Sequence, residues 1–156
     1  MIKEMILTPN LVVSSLSSKT KVEVIHELSS LFFNAGRLSN LEVFIDNVLQ
    51  REEEFSTGFG NGIAIPHGKS HVVLKPSLAV AKLKLGIDWQ AIDEKPVHLI
   101  FLLAVPEEAS GNTHLKIMAK LAESLMDEDR VNELESIEKN DDLFRYVNKL
   151  LGGEFK

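Results

Sequence analysis

Val97-His98-Leu99-Ile100-Phe101-Leu102-Leu103-Ala104-Val105 carries almost no polar interruption. Successive side chains of a strand point to opposite faces, so a run that is apolar at nearly every position must be covered on both sides. The stretch therefore predicts a central strand with helices on either face, entered through the turn Asp93-Glu94-Lys95-Pro96. The run 78–85 is patterned differently. Lys82 and Lys84 point one way while Ala81, Leu83 and Leu85 point the other, which predicts a strand with one wetter face.

Working outward, period-3.6 patterns alternate with these extended ones. Ser18 or Thr20, the latter with Glu23 in capping-box spacing, starts a helix whose Val22, Ile25, Leu28, Leu31 and Phe32 face inward, with Gly36 as its stop. Ser39 and Glu42 repeat the capping box. Leu41, Phe44, Ile45, Val48 and Leu49 then continue an apolar stripe that delivers Arg51 at the end of a second helix. Asn112 caps a third helix with Leu115, Met118, Ala119, Ala122 and Leu125 on its buried side. Two shorter helices, about 129–137 and 141–150, finish the chain before Gly152 and cover the sheet. Together these elements predict an α/β fold: a single-domain sandwich with a central mixed β-sheet flanked by helices.

Composition narrows the function classes. A chain of 156 residues suffices for one domain that buries about two-thirds of its unfolded surface. Net charge is −6, from 23 acidic and 17 basic residues, and no Lys/Arg cluster interleaves with aromatics, which argues against nucleic acid as a partner. There is no cysteine, so disulfides are impossible. Met1-Ile2-Lys3-Glu4-Met5 lacks the apolar core of a signal peptide, and cytoplasmic residence is the expectation. The longest apolar run, Leu99 to Val105, is far short of the ~20 residues a helix needs to cross a bilayer, so no direct membrane insertion is expected.

Folding needs alone do not explain Arg51-Glu52-Glu53-Glu54-Phe55-Ser56-Thr57-Gly58-Phe59-Gly60-Asn61-Gly62-Ile63-Ala64-Ile65-Pro66-His67-Gly68. Gly58, Gly60 and Gly62 permit positive φ and unobstructed N–H groups, as an anion-holding loop requires. Ile63-Ala64-Ile65 reads as a short buried strand, and Pro66 holds the chain extended so that His67 emerges at the strand's end. Imidazole titrates near neutral pH, so His67 can serve as nucleophile or base without a metal. A dinucleotide-binding loop is excluded by order, since that fingerprint follows a strand and opens a helix. His67 and His71 would align as metal ligands only on a helix, and Pro66, Gly68 and Ser70 make this a loop without a third ligand, so no metal and no cofactor is expected. Phe59, between two glycines, is either an exposed docking anchor or a core plug. His26, on a helix, and His98, in the central strand, read as structural, and His71 as loop surface.

The run Glu52-x6-Phe59-Gly60-x2-Ile63-Ala64-Ile65-Pro66-His67-Gly68 resembles the phosphohistidine signature of enzyme IIA proteins of the fructose, mannitol and nitrogen-regulatory type, from the bacterial phosphoenolpyruvate-dependent phosphotransferase system. The similarity extends through Ser18-Lys19, Arg51, Pro96-Val97, and Pro106 followed by His114-Leu115, and covers essentially the whole chain, 1–156, as one enzyme IIA domain. The resemblance leans toward the fructose type. It implies a phosphotransferase in which His67 accepts a phosphoryl group from the phosphocarrier protein HPr and passes it to a IIB domain of a sugar permease. It also implies that His114 is the second active-site histidine and Arg51 the active-site arginine. A regulatory phosphoprotein using the same histidine is the alternative that it leaves open.

Overall fold

The computed structural model describes residues 6–107 and 113–152, with the backbone only at 113 and 114. A single 3-10 turn, Pro9–Leu11, leads into β1 (Val12–Leu16), which is followed by α1 (Lys21–Asn34) and α2 (Leu41–Glu54). Three short strands come next: β2 (Gly58–Gly60), β3 (Ile63–Ala64) and β4 (His67–Ser70). Then follow the long β5 (Ser77–Ile87) and β6 (Val97–Pro106), and finally α3 (Thr113–Leu125), α4 (Glu128–Ser136) and α5 (Asn140–Leu151).

The six strands form one mixed sheet in the order β1-β5-β6-β3-β2, with β4 also paired to β6. β6 is the central strand that its sequence predicts: of Val97–Pro106, only His98 and Pro106 are less than buried. It runs antiparallel to β5 and parallel to β3 and β4. α1 packs on β5 and α2 on β4, while α3 packs with both α4 and α5, and α5 lies against β1. The core is continuous from Phe32 and Phe44, whose rings meet edge to face at 5.9 Å, through the sheet to Ile117, Leu121, Leu134 and Val147.

Local chemistry sets the element ends. Thr20 caps α1, its hydroxyl accepting from the Glu23 N–H, and Gly36 at φ +75° ends the following turn. α2 is capped one residue later than the spacing suggests, because the Asn40 side chain accepts from the Val43 N–H, a geometry Ser39 would otherwise supply. Four apolar assignments change. Val22 is 48% exposed, since the inner stripe of α1 runs through Val24, Ile25, Leu28 and Phe32. Leu85 is 75% exposed, because the pairing of β5 with β6 slips between Lys82 and Ile87 and the alternation no longer leads inward. In α3 the buried stripe is Ile117, Leu121, Ser124 and Leu125, which leaves Leu115 at 54% exposure and Ala119 on the outer face. The expected cap Asn112 lies outside the described residues.

Candidate functional site

β3 and β4 are one strand with a two-residue interruption. Ala64 pairs with Ile100 and His67 with Leu103, so the register is conserved across Ile65 and Pro66. Pro66 has no N–H to donate, although its carbonyl accepts from Leu103 N at 3.0 Å, while Ile65 N turns to Thr57 O at 3.1 Å. His67 therefore does not trail a strand's end as its sequence suggests; it opens β4. The Gly58 pairing with Ala64 is the last of β2, so β4 lies beyond the reach of that strand and forms an edge of the sheet.

Register fixes which way His67 points. Side chains of directly paired residues share a face, and residues four apart along a strand do too. Lys82 pairs with Leu99, and its Nζ donates to Ile137 O between α4 and α5. Leu103 is on the face of Leu99, and His67 is paired with Leu103, so the imidazole is directed toward the layer of α3, α4 and α5. Gly68 faces the opposite way, against α2. A Cβ there would fall 2.8 Å from Val48 Cγ2 and 2.9 Å from Phe44 Cε1, so only glycine lets helix and strand approach this closely.

Arg51 comes from that other layer. Val43 and Asn47 of α2 line a cavity of about 500 Å³ together with Lys69, Ser70 and His71, and Val48 meets Gly68, so α2 runs antiparallel to β4. Past Val48, α2 continues toward the His67 end of β4 and carries Arg51 in its last turn. Its guanidinium donates from Nη1 to Phe55 O at 3.0 Å and is partly buried. His114 is the second residue of α3, in its first turn, where N–H groups point out of the helix. The His114 side chain lies outside the described residues. Arg51 thus comes from the α2 layer, while His67 is directed to the layer to which α3 belongs.

His67 itself is half-buried, and its Nδ1 lies 3.4 Å from Ile65 O. A carbonyl oxygen can only accept, so a hydrogen bond along this contact requires the proton on Nδ1 and the lone pair on Nε2. His71, by contrast, is exposed and sits 3.8 Å from a Glu107 carboxylate oxygen. His98 lies against Gly62 and Gly86 at the other end of β6, and His26 is exposed on α1.

The glycine segment is not an anion cradle. Gly58 and Gly60 are strand residues, and Gly60, Asn61 and Gly62, all at positive φ, form the turn between β2 and β3. The Asn61 N–H is committed to Asp93 Oδ2 at 3.0 Å, and this bond together with one from Lys95 N holds the exposed Asp93 carboxyl below its ordinary pKa. Moreover, Gly62 adjoins Leu99, four positions from Leu103 along β6, which puts the turn roughly 13 Å from the level of His67. Phe59, at 36% exposure on β2, is neither fully covered nor fully presented.

Beside Arg51, the first residue of the signature, Glu52, centres a polar cluster that the sequence does not reveal. Glu52 is 7% exposed and ion-paired to Lys21 Nζ at 3.1 Å, and it accepts from Thr57 N, Thr57 Oγ1 and Trp89 Nε1. Lys21 also lies 5.3 Å from the Trp89 ring centroid. The available signal was a carboxylate in the last turn of a helix, where the macrodipole opposes it, on a chain with a single tryptophan. Among the described residues no group of three or more His, Cys, Asp or Glu is placed to hold a metal, and no helix is long and apolar enough to cross a membrane.

Residues 5–150 match the family described as phosphoenolpyruvate-dependent sugar phosphotransferase system, EIIA 2. The chain belongs to that family. Among EIIA relatives, it is 44% identical over 110 residues to the fructose-specific EIIA component of Haloferax volcanii, covering 70% of this chain and 71% of the relative. It is 35% identical over 144 residues to the fructose-specific EIIABC component of Bacillus subtilis, covering 92% of this chain but only 22% of that longer protein. It is 32% identical to the nitrogen regulatory protein of Pseudomonas aeruginosa over 151 residues, 97% of each. The EIIA fold is likewise that of nitrogen regulatory protein IIA-Ntr from Neisseria meningitidis, with a TM-score of 0.83 at 29% identity over 94% of this chain and 96% of that one. The mannitol enzyme IIA of Escherichia coli, in a complex with phosphorylated enzyme IIB, shares the fold with a TM-score of 0.76 at 22% identity, covering 93% and 96%.

Proposed function

We propose that this EIIA domain is a cytoplasmic phosphocarrier in which His67 accepts a phosphoryl group from phosphorylated HPr and delivers it to a IIB domain of a sugar permease, of the fructose type. The observation that carries the reading is the setting of His67: an imidazole at a sheet edge whose Nδ1 faces a backbone carbonyl, which supports Nε2 as the nucleophile. The Haloferax volcanii fructose-specific relative supports the sugar class, and the Escherichia coli IIA–IIB complex supports the kind of acceptor.

In the reaction, the Nε2 lone pair forms a bond to phosphorus as the donor's phosphorus–nitrogen bond breaks in line, and the donor ring keeps the electron pair. Such transfers depend mainly on positioning and on neutralising the charge spread over the equatorial oxygens. Arg51 and His114 are the groups assigned to that charge, each charge-assisted hydrogen bond contributing roughly 1.5 to 3 kcal/mol. The Gly60–Gly62 turn takes no part, being distant and already bonded to Asp93. Onward transfer requires that phosphorylated His67 not be a sink, so forward and reverse transfer should be nearly isoenergetic.

The test is labelling of the full chain by phosphorylated HPr. Wild type should take up one phosphoryl group and His67→Ala none, while His114→Ala and Arg51→Ala should fold and be phosphorylated more slowly or less stably. Labelling of the His67 variant at the wild-type level overturns the assignment.

The likeness to the Pseudomonas aeruginosa nitrogen regulatory protein over 97% of both chains favours a second reading: the same phosphohistidine controls binding to other proteins. Transfer from His67 to a IIB domain, followed by sugar phosphorylation at its permease, decides for the transport reading. A phosphorylated chain that no IIB domain discharges decides for the regulatory one.

A further inference from the structure

We infer that Glu52 is a positioning residue for His67, acting through Thr57 and Ile65 to fix which imidazole nitrogen holds the proton. The inference rests on His67 being the phosphoryl acceptor only for its effect on rate; its structural content is independent of that reading.

The path consists of consecutive hydrogen bonds. Lys21 Nζ donates to Glu52 Oε2 at 3.1 Å, and Thr57 N donates to the same oxygen at 3.2 Å. The Thr57 hydroxyl donates to Glu52 Oε1, and Trp89 Nε1 approaches both Oε1 at 3.3 Å and Thr57 Oγ1 at 3.2 Å. One nearly buried carboxylate thereby holds Thr57 by its backbone N–H and its side chain together. The Thr57 carbonyl then accepts from Ile65 N at 3.1 Å, which anchors Ile65 on its N-terminal side, and the Ile65 carbonyl, one residue's φ and ψ away, faces His67 Nδ1 at 3.4 Å.

Sequence chemistry explains why such a brace is needed. Ile65 and Pro66 interrupt the β3–β4 strand, and Pro66 has no N–H, so the ladder with β6 holds this segment less firmly than the residues on either side. Thr57, at the corner where α2 gives way to β2, supplies the missing constraint from the other side. A carboxylate late in a helix is unfavourable with the macrodipole, and the enclosure of Glu52 removes it from water; Lys21 and the three donors offset both costs. Arg51 hangs from the same corner through its bond to Phe55 O, so the brace also bears on the guanidinium.

The experiment reads the ring nitrogens of His67 by ¹⁵N NMR in the unphosphorylated full chain, alongside the rate of phosphoryl transfer from phosphorylated HPr, for wild type, Glu52→Gln and Glu52→Ala. Wild-type neutral His67 should show a protonated Nδ1 and an unprotonated Nε2. Both variants should shift toward a mixture of tautomers and slow transfer by on the order of tenfold to a hundredfold, as expected when a reacting group is displaced by about an ångström. A wild-type ring protonated at Nε2 overturns the proposal whatever the variants do. So does a folded Glu52→Gln variant with lower thermal stability but unchanged ring nitrogens and rate, because that is the result of a purely structural role. Because the tautomer is read without phosphorylation, a failure of His67 to accept phosphoryl would appear separately, as absent transfer with the ring pattern intact.

Discussion

The two ends of the β3–β4 strand use the same amino acid for opposite purposes. At one end Gly60 and Gly62 take φ of +104° and +81° to turn the chain, and the residue between them gives its N–H to Asp93. At the other end Gly68 is ordinary strand, and its value is the absent Cβ that lets α2, the helix carrying Arg51, close on β4. A glycine-dense stretch is thus not one device: conformational freedom builds the hairpin, while clearance builds the site.

The sharpest way to break this contrast is at the histidine itself. His67→Ala should abolish phosphoryl uptake from phosphorylated HPr while the thermal midpoint stays near that of wild type, since the ring is only half-buried; mass spectrometry of the intact chain reads the first and calorimetry the second. Next comes Gly68→Ala. Its methyl would meet Val48 and Phe44 at under 3 Å, so helix and strand must separate, at about 1 to 3 kcal/mol. For a chain of this size each kcal/mol lowers the midpoint by roughly 2 to 4 °C, and transfer should slow as Arg51 moves. Gly62→Ala sharpens the comparison. The strain of a left-handed alanine should cost about 1 to 2 kcal/mol with no change in the transfer rate, because a Cβ there meets nothing closer than 3.6 Å. A Gly62 variant as slow as the Gly68 variant would erase the distinction.

Asp93→Asn should have the smallest effect, and a pH-dependent one. The folded carboxyl titrates below its unfolded value, so the stability it contributes is present above the ordinary carboxylate pKa and lost as pH falls through the lower, folded one. Thermal midpoints of wild type and variant should accordingly differ slightly at pH 7 and converge as pH falls below the folded carboxyl's lowered pKa.

Much of the fold was legible because one strand was extreme. A run as apolar as Val97 to Val105 admits few positions except the middle of a covered sheet, and α2 advertised its inner face through Phe44, Ile45 and Val48. α3 was harder to read. Its buried stripe includes Ser124, a polar residue that hides the period, while Leu115 and Ala119 look like members of an apolar face but lie on the outside. At the site, His67 and Arg51 stood out by residue type and spacing. Glu52 appeared only as the first residue of the signature, because its partners Lys21 and Trp89 lie 31 and 37 residues away and leave no local pattern. The glycine turn was misassigned for a related reason: the acceptor that occupies its amide, Asp93, lies 32 residues away.

Trp89 is the only indole in the chain, fully enclosed, with an ammonium near its ring and a carboxylate at its nitrogen. Its fluorescence is therefore a built-in, single-site optical gauge of the corner that carries Arg51, readable in unmodified protein. Any event that loosens or tightens that corner, whether a docking carrier or a charge arriving nearby, should register as a change in emission without the introduction of a dye.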